Sequence, residues 1–179
     1  MIYFTSDLHF CHKLDAVYNP RGFNTVEEHD ETIFNNWNNI VTDEDTVYVL
    51  GDLMLHDNEK GIDLIKRLKG NIIVILGNHD TTNRISLYET CDNIKKICYA
   101  DMIKYKGKKF YLSHYPTIIH ESLEIRANKE KIYSLYGHRH QSTNFHKDIP
   151  YAYHVGLDSH DNKVVSIDQI IKDCEAHYA

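Results

Sequence analysis

The chain has 179 residues, which is the length of one compact domain, and its 42% hydrophobic content is enough to bury a core without covalent cross-links. Its formal net charge of −6 argues against general electrostatic binding to nucleic acid, which needs a basic face. The sequence shows no signal-peptide pattern and no apolar run long enough to span a bilayer, so no membrane contact is expected. The four cysteines include no C-x-x-C pair, which favours a reduced, cytoplasmic setting.

Short apolar runs along the chain predict β-strands. The run Ile72–Leu76 does not alternate between apolar and polar residues, which is typical of a strand that is covered on both faces. In chain order, the predicted strands are Ile2–Thr5, Thr46–Leu50, Ile72–Leu76, Ile94–Tyr99, Met102–Tyr105, Phe110–Ser113, Ile132–Tyr136 and Tyr151–Val155.

Segments between these strands have the apolar spacing of helices. The first begins with a capping box, in which Thr25 is followed three residues later by Glu28. The three predicted helices are Thr25–Trp37, Asn58–Leu68 and Ser166–Ala176. Alternating strands and helices predict an α/β protein with parallel strand pairs. No repeat, linker or composition break divides the chain, so we expect a single domain over residues 1–179.

Five of the predicted strands run directly into residues of types that bind metal ions. In open α/β sheets, active sites lie outside the carboxyl ends of the strands, so these residues should converge. Glycine precedes three of the blocks and permits the sharp turn that aims the next side chain. The blocks are Asp7-x-His9, Gly51-Asp52, Gly77-Asn78-His79-Asp80, His114 and Gly137-His138-Arg139-His140.

Each block also has an ordinary interpretation, as a surface loop, a turn dipeptide or a structural histidine. The third block is more specific, because a turn explains glycine and asparagine but not His79. The last block is also more specific, since His138 and His140 flank one residue and can point the same way in an extended backbone. The coincidence of all five blocks at strand ends favours the functional interpretation.

The candidate donors offer only oxygen and nitrogen atoms, and no cysteine is placed to join them. Such a set suits manganese, iron, zinc, nickel or cobalt rather than a thiolate-bound structural zinc. Seven donors are too many for one tetrahedral ion and suit two ions, divalent or mixed-valence, about 3.5–4 Å apart and bridged by a carboxylate.

In residue type and order, these blocks resemble the calcineurin-like metallophosphoesterase superfamily. The opening Phe4–Phe10 and the late Val155–Asp158 also resemble its small, uncapped bacterial and phage members, and the resemblance runs from Met1 to about Ile170. It implies an α/β fold, a four-layer αββα sandwich with two mixed β-sheets. It also implies a metal-dependent phosphoric ester hydrolase, and we expect small phosphodiesters as its substrates.

The resemblance further implies a role for each residue. One metal ion would be held by Asp7, His9 and His140, and the other by Asn78, His114 and His138. Asp52 would bridge the ions with its two oxygens, and a hydroxide between the ions would attack phosphorus. His79 would protonate the leaving alkoxide, and Asp80 would orient His79 by hydrogen bonding. With two divalent ions, the centre would carry a charge of about +1, which suits the single negative charge of a phosphodiester.

Several further residues are candidates for contact with the substrate. His12 follows His9 in the same loop, and Arg21 could pair with phosphate oxygens. His154 could line the cleft together with Asp158, whereas Arg139 alternates with the histidine ligands and should point away. Cys11 stands where glycine is expected in the small relatives, and it adds an oxidation liability if exposed.

Three alternative functions remain open from the sequence. A phosphomonoesterase or a nuclease would share the fold, and a nuclease would be favoured by a basic groove or an added domain, neither of which is evident. A catalytically silent metal-binding scaffold would have lost at least one ligand or the acid, yet all of them are present. The natural substrate, the native metals and the oligomeric state are not specified by the sequence.

Overall fold

The computed structural model describes residues 1–119 and 131–178. Its larger sheet contains the N-terminal strand. The strands are β1 (Ile2–Thr5), β2 (Thr46–Val49), β3 (Asn71–Ile75), β4 (Ile94–Cys98) and β9 (Val165–Ser166). Their order in the sheet is β4-β3-β2-β1-β9. Strands β1 to β4 run parallel and β9 runs antiparallel to β1, so the sheet is mixed.

The second sheet is also mixed. It consists of β5 (Ala100–Tyr105), β6 (Lys108–Ser113), β7 (Ile132–Tyr136) and β8 (Ala152–His154), in that order. Strands β6, β7 and β8 run parallel, whereas β5 pairs antiparallel with β6. The expected α/β sandwich with two mixed sheets is confirmed.

The described residues contain five α-helices: α1 (Asp15–Tyr18), α2 (Val26–Ile40), α3 (Asn58–Lys66), α4 (Thr82–Tyr88) and α5 (Ile167–His177). Thr25 caps α2, because its side chain accepts a hydrogen bond from Glu28 N at 3.1 Å. The carboxylate of Glu28 reaches back to Asn24 N at 3.0 Å, one residue before the expected partner of a capping box. No helix in these residues is long and apolar enough to cross a bilayer.

Strand β3 shows why its apolar run does not alternate. Ile72 and Val74 face a core shared with α2, α3 and α4, whereas Ile73 and Ile75 face the core between the two sheets. Because successive side chains of a strand point to opposite faces, a strand with two buried faces is apolar throughout.

The core between the sheets is rich in aromatic rings. Phe4 stacks on Tyr48 with ring centroids 5.3 Å apart, and Phe110 stacks on Tyr133 at 5.6 Å. Ile170 of α5 is fully buried in the same core. The two sheets are thus joined by packing close to the strands whose ends carry the candidate ligands.

Most predicted elements are confirmed with shifted ends. The predicted Thr46–Leu50 ends at Val49, Thr25–Trp37 extends to Ile40, and the two neighbouring strands after Ile94 belong to different sheets. Helix α1 and strand β9 were not predicted, because four and two residues are too few to establish a period. The sequence between β4 and β5 also contains no pattern that predicts the change from one sheet to the other.

Ile33 tests the helix-facing core. It lies on α2 and is 1% exposed. Ile33→Ala should lower the free energy of unfolding by about 2–5 kcal/mol, because it removes buried methylene groups and leaves a cavity. Met102→Ala is the control, since Met102 is 52% exposed and should change the free energy by less than about 0.5 kcal/mol. Urea titration measures both, and equal changes would contradict the placement of Ile33.

Candidate metal centre

The loops that follow five strands meet at one edge of the sandwich. The loop after β1 pairs with the loop after β2, through Asp7 N to Gly51 O and His9 N to Asp52 O, both at 3.0 Å. In the second sheet, Gly137 N donates to His114 O at 3.0 Å. The expected convergence of the strand ends is therefore present in both sheets.

The backbone of these loops is strained at the candidate donors. Five of the seven have a positive φ angle, a left-handed conformation that costs a non-glycine residue about 1–3 kcal/mol. They are Asp7 (57°), His9 (49°), Asp52 (59°), His138 (67°) and His140 (44°). Such strain persists only where the surrounding structure enforces it, and it gathers at functional sites.

The three glycines act more through their lack of a side chain than through turn geometry. Gly51 has a φ of +94°, and a Cβ there would also lie within 3.0 Å of His114 Nδ1. A Cβ at Gly77 would lie within 3.0 Å of the carboxylate of Asp52, and one at Gly137 would lie within 3.0 Å of Ser6 and of Asp7 Oδ2. Gly77 and Gly137 therefore serve close approach of the loops rather than a left-handed turn.

We call Asp7, His9 and His140 the first half-site. Their ligand atoms all lie within 4.8 Å of one another. His9 Nε2 lies 3.2 Å from His140 Nε2, and both nitrogens lie 3.9 Å from Asp7 Oδ1. Atoms that bind one ion at about 2.0–2.2 Å lie roughly 3–3.5 Å apart, so these distances suit a shared cation after small adjustments.

We call Asn78, His114 and His138 the second half-site. Asn78 Oδ1 lies 2.9 Å from His114 Nε2 and 3.0 Å from His138 Nδ1. Asp52 stands between the half-sites, with Oδ2 at 3.4 Å from His114 Nε2 and 3.9 Å from His9 Nε2. One oxygen of Asp52 therefore faces both groups, while Oδ1 accepts a hydrogen bond from His79 N at 2.9 Å.

The hydrogen-bond pattern fits metal ions at these groups. His114 Nδ1 lies 2.7 Å from the carbonyl of Leu50, which can only accept, so Nδ1 carries the proton. In the neutral ring, Nε2 is then a lone pair directed at the oxygens of Asn78 and Asp52. Asp7 Oδ1 is buried and has no hydrogen-bond partner within residues 1–119 and 131–178. Acceptors that converge without donors are costly unless a cation lies among them.

The protonation states of the buried groups also fit metal ions at these positions. Burial raises the pKa of Asp52 to about 6, even though His114 opposes the shift. Burial, together with the Arg21 guanidinium, holds the pKa of His9 well below its usual range. His9 is therefore a neutral ring, which is the form that binds metals.

Asp80 holds the loops rather than the His79 ring, which corrects the expected role. Its Oδ2 accepts hydrogen bonds from Asp52 N at 2.9 Å and Gly77 N at 2.8 Å. Its Oδ1 accepts from the hydroxyl of Tyr88 at 2.8 Å. The carboxylate thus fixes the backbone on both sides of the Asp52 side chain.

Arg21 is not available for phosphate, contrary to the sequence-based expectation. Its side chain is 1% exposed and forms a two-bond ion pair with Asp158, Nε to Oδ1 at 3.0 Å and NH2 to Oδ2 at 2.9 Å. Burial alone would raise the pKa of Asp158. Hydrogen bonds from His140 and Arg21 outweigh this effect and hold the pKa well below its usual range. The pair lies behind the first half-site instead of lining its open face.

His12 and His79 stand beside the first half-site. The His12 ring centroid lies 5.1 Å from that of His9 and 6.5 Å from that of His79. Burial lowers the pKa of His12 to about 4, and His56 and His79 add to the shift. A neutral His12 can donate or accept a hydrogen bond there but brings no positive charge.

His154 and Cys11 are both buried. His154 is 0% exposed, and its Nδ1 lies 2.9 Å from Ser159 Oγ, so it does not line the open cleft as expected. Cys11 is 2% exposed, and burial raises the pKa of its thiol to about 12, with Asp30 adding to the shift. The thiol of Cys11 is therefore unreactive, because the thiolate is the reactive form.

Sequence reasoning missed the contribution of Tyr88 and underrated that of Asp158. Tyr88 is fully buried, yet it lies on a short helix whose pattern gives no sign of contact with Asp80. Asp158 contacts His140, with Oδ2 3.2 Å from Nδ1. The sequence signal for it was its place directly after a predicted strand, at Val155-Gly156-Leu157-Asp158.

Tyr88→Phe tests whether Asp80 holds the centre. Loss of this hydrogen bond to a carboxylate should lower the free energy of unfolding by about 1.5–3 kcal/mol and weaken Mn²⁺ binding. Tyr153→Phe is the matched control, because Tyr153 donates to Asp173 at 2.6 Å, away from the centre. Urea titration and calorimetry should show lost stability in both variants but weakened Mn²⁺ binding in Tyr88→Phe alone. Unchanged Mn²⁺ affinity in Tyr88→Phe would contradict the role of Asp80.

Comparison with known proteins agrees with this geometry. The calcineurin-like phosphoesterase family profile matches residues 1–177. An uncharacterized protein of Methanocaldococcus jannaschii is 34% identical, over 96% of this chain and 89% of its own. The Gene 66 protein of Mycobacterium phage L5 is 28% identical, over 94% and 91%. A solved structure, a protein of unknown function from Aquifex aeolicus, aligns with a TM-score of 0.71 at 26% identity, covering 96% of this chain and 98% of that one. This chain therefore belongs to the calcineurin-like phosphoesterase family.

Proposed function

We propose that this chain is a dinuclear metal-dependent phosphoesterase that hydrolyses small phosphodiesters. The observation that carries the proposal is the pair of half-sites on either side of Asp52 Oδ2, which lies 3.4 Å from His114 Nε2 and 3.9 Å from His9 Nε2. Two groups of donors that share one carboxylate oxygen suit two ions at the spacing used for displacement at phosphorus.

The first half-site would hold one ion and the second half-site the other, with Asp52 common to both. The donor set of carboxylate, amide and imidazole groups suits manganese, iron, zinc, nickel or cobalt. When bound, such ions supply Lewis acidity, which activates water as the nucleophile and neutralises charge on the phosphoryl oxygens. Asp7 and Asp52 would hold the ions, and Asn78 would contribute an oxygen without adding negative charge.

The contacts of His79 support a role for it as the general acid. Its backbone is held at both ends, because its N–H donates to Asp52 Oδ1 at 2.9 Å and its carbonyl accepts from Arg84 NH1 at 2.6 Å. Its ring centroid lies 5.5 Å from that of His9, at the rim of the first half-site. A histidine fixed there but outside both donor groups can protonate the departing alkoxide oxygen.

The charges around the centre favour a diester over a monoester. Within the described part of the chain, Arg21 is committed to Asp158, and His12 is neutral because burial lowers its pKa to about 4. The Arg21–Asp158 pair adds no net charge, so the centre keeps its expected charge of about +1 with two divalent ions. A monoester dianion would need a further cation, whereas a diester anion is already matched.

The surroundings of the centre also disfavour a large polyanion. A cavity of about 320 Å³ opens on the side of His140 that carries the Arg21–Asp158 pair, and it is lined by Pro20, Arg21, His140, Ser142, Leu157, Asp158, Asp161 and Asn162. Of the candidate donors, only His140 is among these lining residues, so the cavity adjoins the centre and is not its open face. The carboxylates of the cavity disfavour a second phosphate, which argues against a polyanionic substrate such as long nucleic acid.

His79→Gln should keep both ions but lower kcat by about 10²–10⁴-fold for esters with basic alkoxide leaving groups. Nitrophenyl esters should lose less, because their leaving group needs little protonation. The control is His177→Gln, which changes an exposed histidine at the end of α5 that is not one of the candidate donors. Equal losses for both classes of ester would contradict the acid role, and loss of metal would make His79 a ligand.

The substrate class is tested by kcat/KM for bis(p-nitrophenyl) phosphate against p-nitrophenyl phosphate, with the best metal of a screen. We expect the diester to be preferred, because neither Arg21, which is paired with Asp158, nor the neutral His12 adds a positive charge to the centre. A tenfold preference for the monoester, about 1.4 kcal/mol in the transition state, would overturn the diesterase proposal. The metal-stripped protein serves as the blank.

A further inference from the structure

We infer that Asp158, held by Arg21, is a positioning residue for the first half-site and sets the metal affinity of that half-site alone. The inference rests on the proposed metal centre. Asp158 Oδ2 lies 3.2 Å from His140 Nδ1, on the side of the ring that faces away from Asp7. His140 Nε2 points to the other donors, 3.2 Å from His9 Nε2 and 3.9 Å from Asp7 Oδ1.

The contacts of Arg21 determine which nitrogen of His140 carries the proton. Arg21 NH2 has two hydrogens, and both are used at 2.9 Å, one on Asp158 Oδ2 and one on Asp7 O. It has none left for His140 Nδ1, which lies 3.4 Å away. His140 Nδ1 is therefore the donor to Asp158, and the lone pair on Nε2 is directed into the first half-site.

Arg21 is itself fixed from the opposite side. Its NH1 lies 3.0 Å from His29 Nε2, and His29 Nδ1 lies 3.0 Å from Asp30 Oδ1. The Asp30 carboxylate accepts from Cys11 N at 2.9 and 3.1 Å, which closes the chain of contacts on the loop after β1. The guanidinium thus connects α2 directly to the backbone of Asp7 and, through Asp158, to the ring of His140, so it helps to position two of the three donors.

Among the residues that the structure describes, no carboxylate stands behind a histidine of the second half-site in this way. The Nδ1 of His114 is held by the neutral carbonyl of Leu50 at 2.7 Å, and His138 turns its own Nδ1 toward Asn78. A carboxylate behind a ligand histidine fixes the ring and strengthens it as a donor, and loss of such a partner typically costs about 10–100-fold in metal affinity. Loss of Asp158 should therefore weaken one half-site and spare the other.

The test is a double-mutant comparison by calorimetry, with metal-stripped protein titrated with Mn²⁺ alone. His114→Ala leaves the first half-site, and His140→Ala leaves the second. Asp158→Asn should weaken Mn²⁺ binding about tenfold or more in the His114→Ala protein and less than about twofold in the His140→Ala protein. An equal loss in both, or no loss in the His114→Ala protein, would overturn the inference.

Asp173→Asn is the matched control, because Asp173 is likewise a carboxylate that accepts side-chain hydrogen bonds, here from the hydroxyl of Tyr153, and it lies away from the centre. It should leave Mn²⁺ affinity unchanged in both backgrounds. Arg21→Lys is the second variant if Asp158→Asn does not fold, since lysine keeps the charge but cannot bind both oxygens of Asp158. It should weaken the first half-site alone, and unchanged or equal affinities would overturn the inference. If the unsubstituted protein binds two Mn²⁺ ions, a result that overturns the inference counts against the role of Asp158 and not against the proposed metal centre.

Discussion

Asp7 and Asp52 place two carboxylates at the point where the strand ends of both sheets meet, and each is no more than 2% exposed. Burial of a carboxylate is costly unless hydrogen bonds or positive charge offset the loss of water. Asp7 Oδ2 accepts from Ser6 Oγ and His138 N, but its Oδ1 has no donor. The negative charge of Asp7 is therefore offset only in part by hydrogen bonds. This charge is the constraint that determines how the surrounding side chains and loops are arranged.

The loops reach this geometry through local strain that the rest of the fold holds in place. Left-handed backbone at five candidate donors is unfavourable for each residue taken alone. Two carboxylates hold the loops in this conformation: Asp80 fixes the loops of the first sheet, and Asp158 with Arg21 fixes the first half-site. The aromatic core between the sheets packs the two sheets against each other close to both sets of loops.

The sequence predicted the fold and the residues that converge because both depend on local signals. Apolar runs gave the strands, the Thr25 cap gave the start of α2, and parallel topology brings strand ends together. The contacts of Arg21 could not be predicted, since its partner Asp158 lies 137 residues away and an arginine near a phosphate site has an obvious alternative role. Asp80 was assigned to the neighbouring His79 for a similar reason, whereas the fold directs its carboxylate to backbone groups. The burial of His154 depends on β8, whose three residues are covered on both faces.

The central claim is that two ions are bound on either side of Asp52, and crystals grown with Mn²⁺ test it most directly. An anomalous difference map should show two peaks about 3.5–4 Å apart, with Asp52 Oδ2 between them and one half-site around each. Their presence would establish the centre independently of any substrate. A single peak, or peaks that do not contact Asp52, would contradict the account.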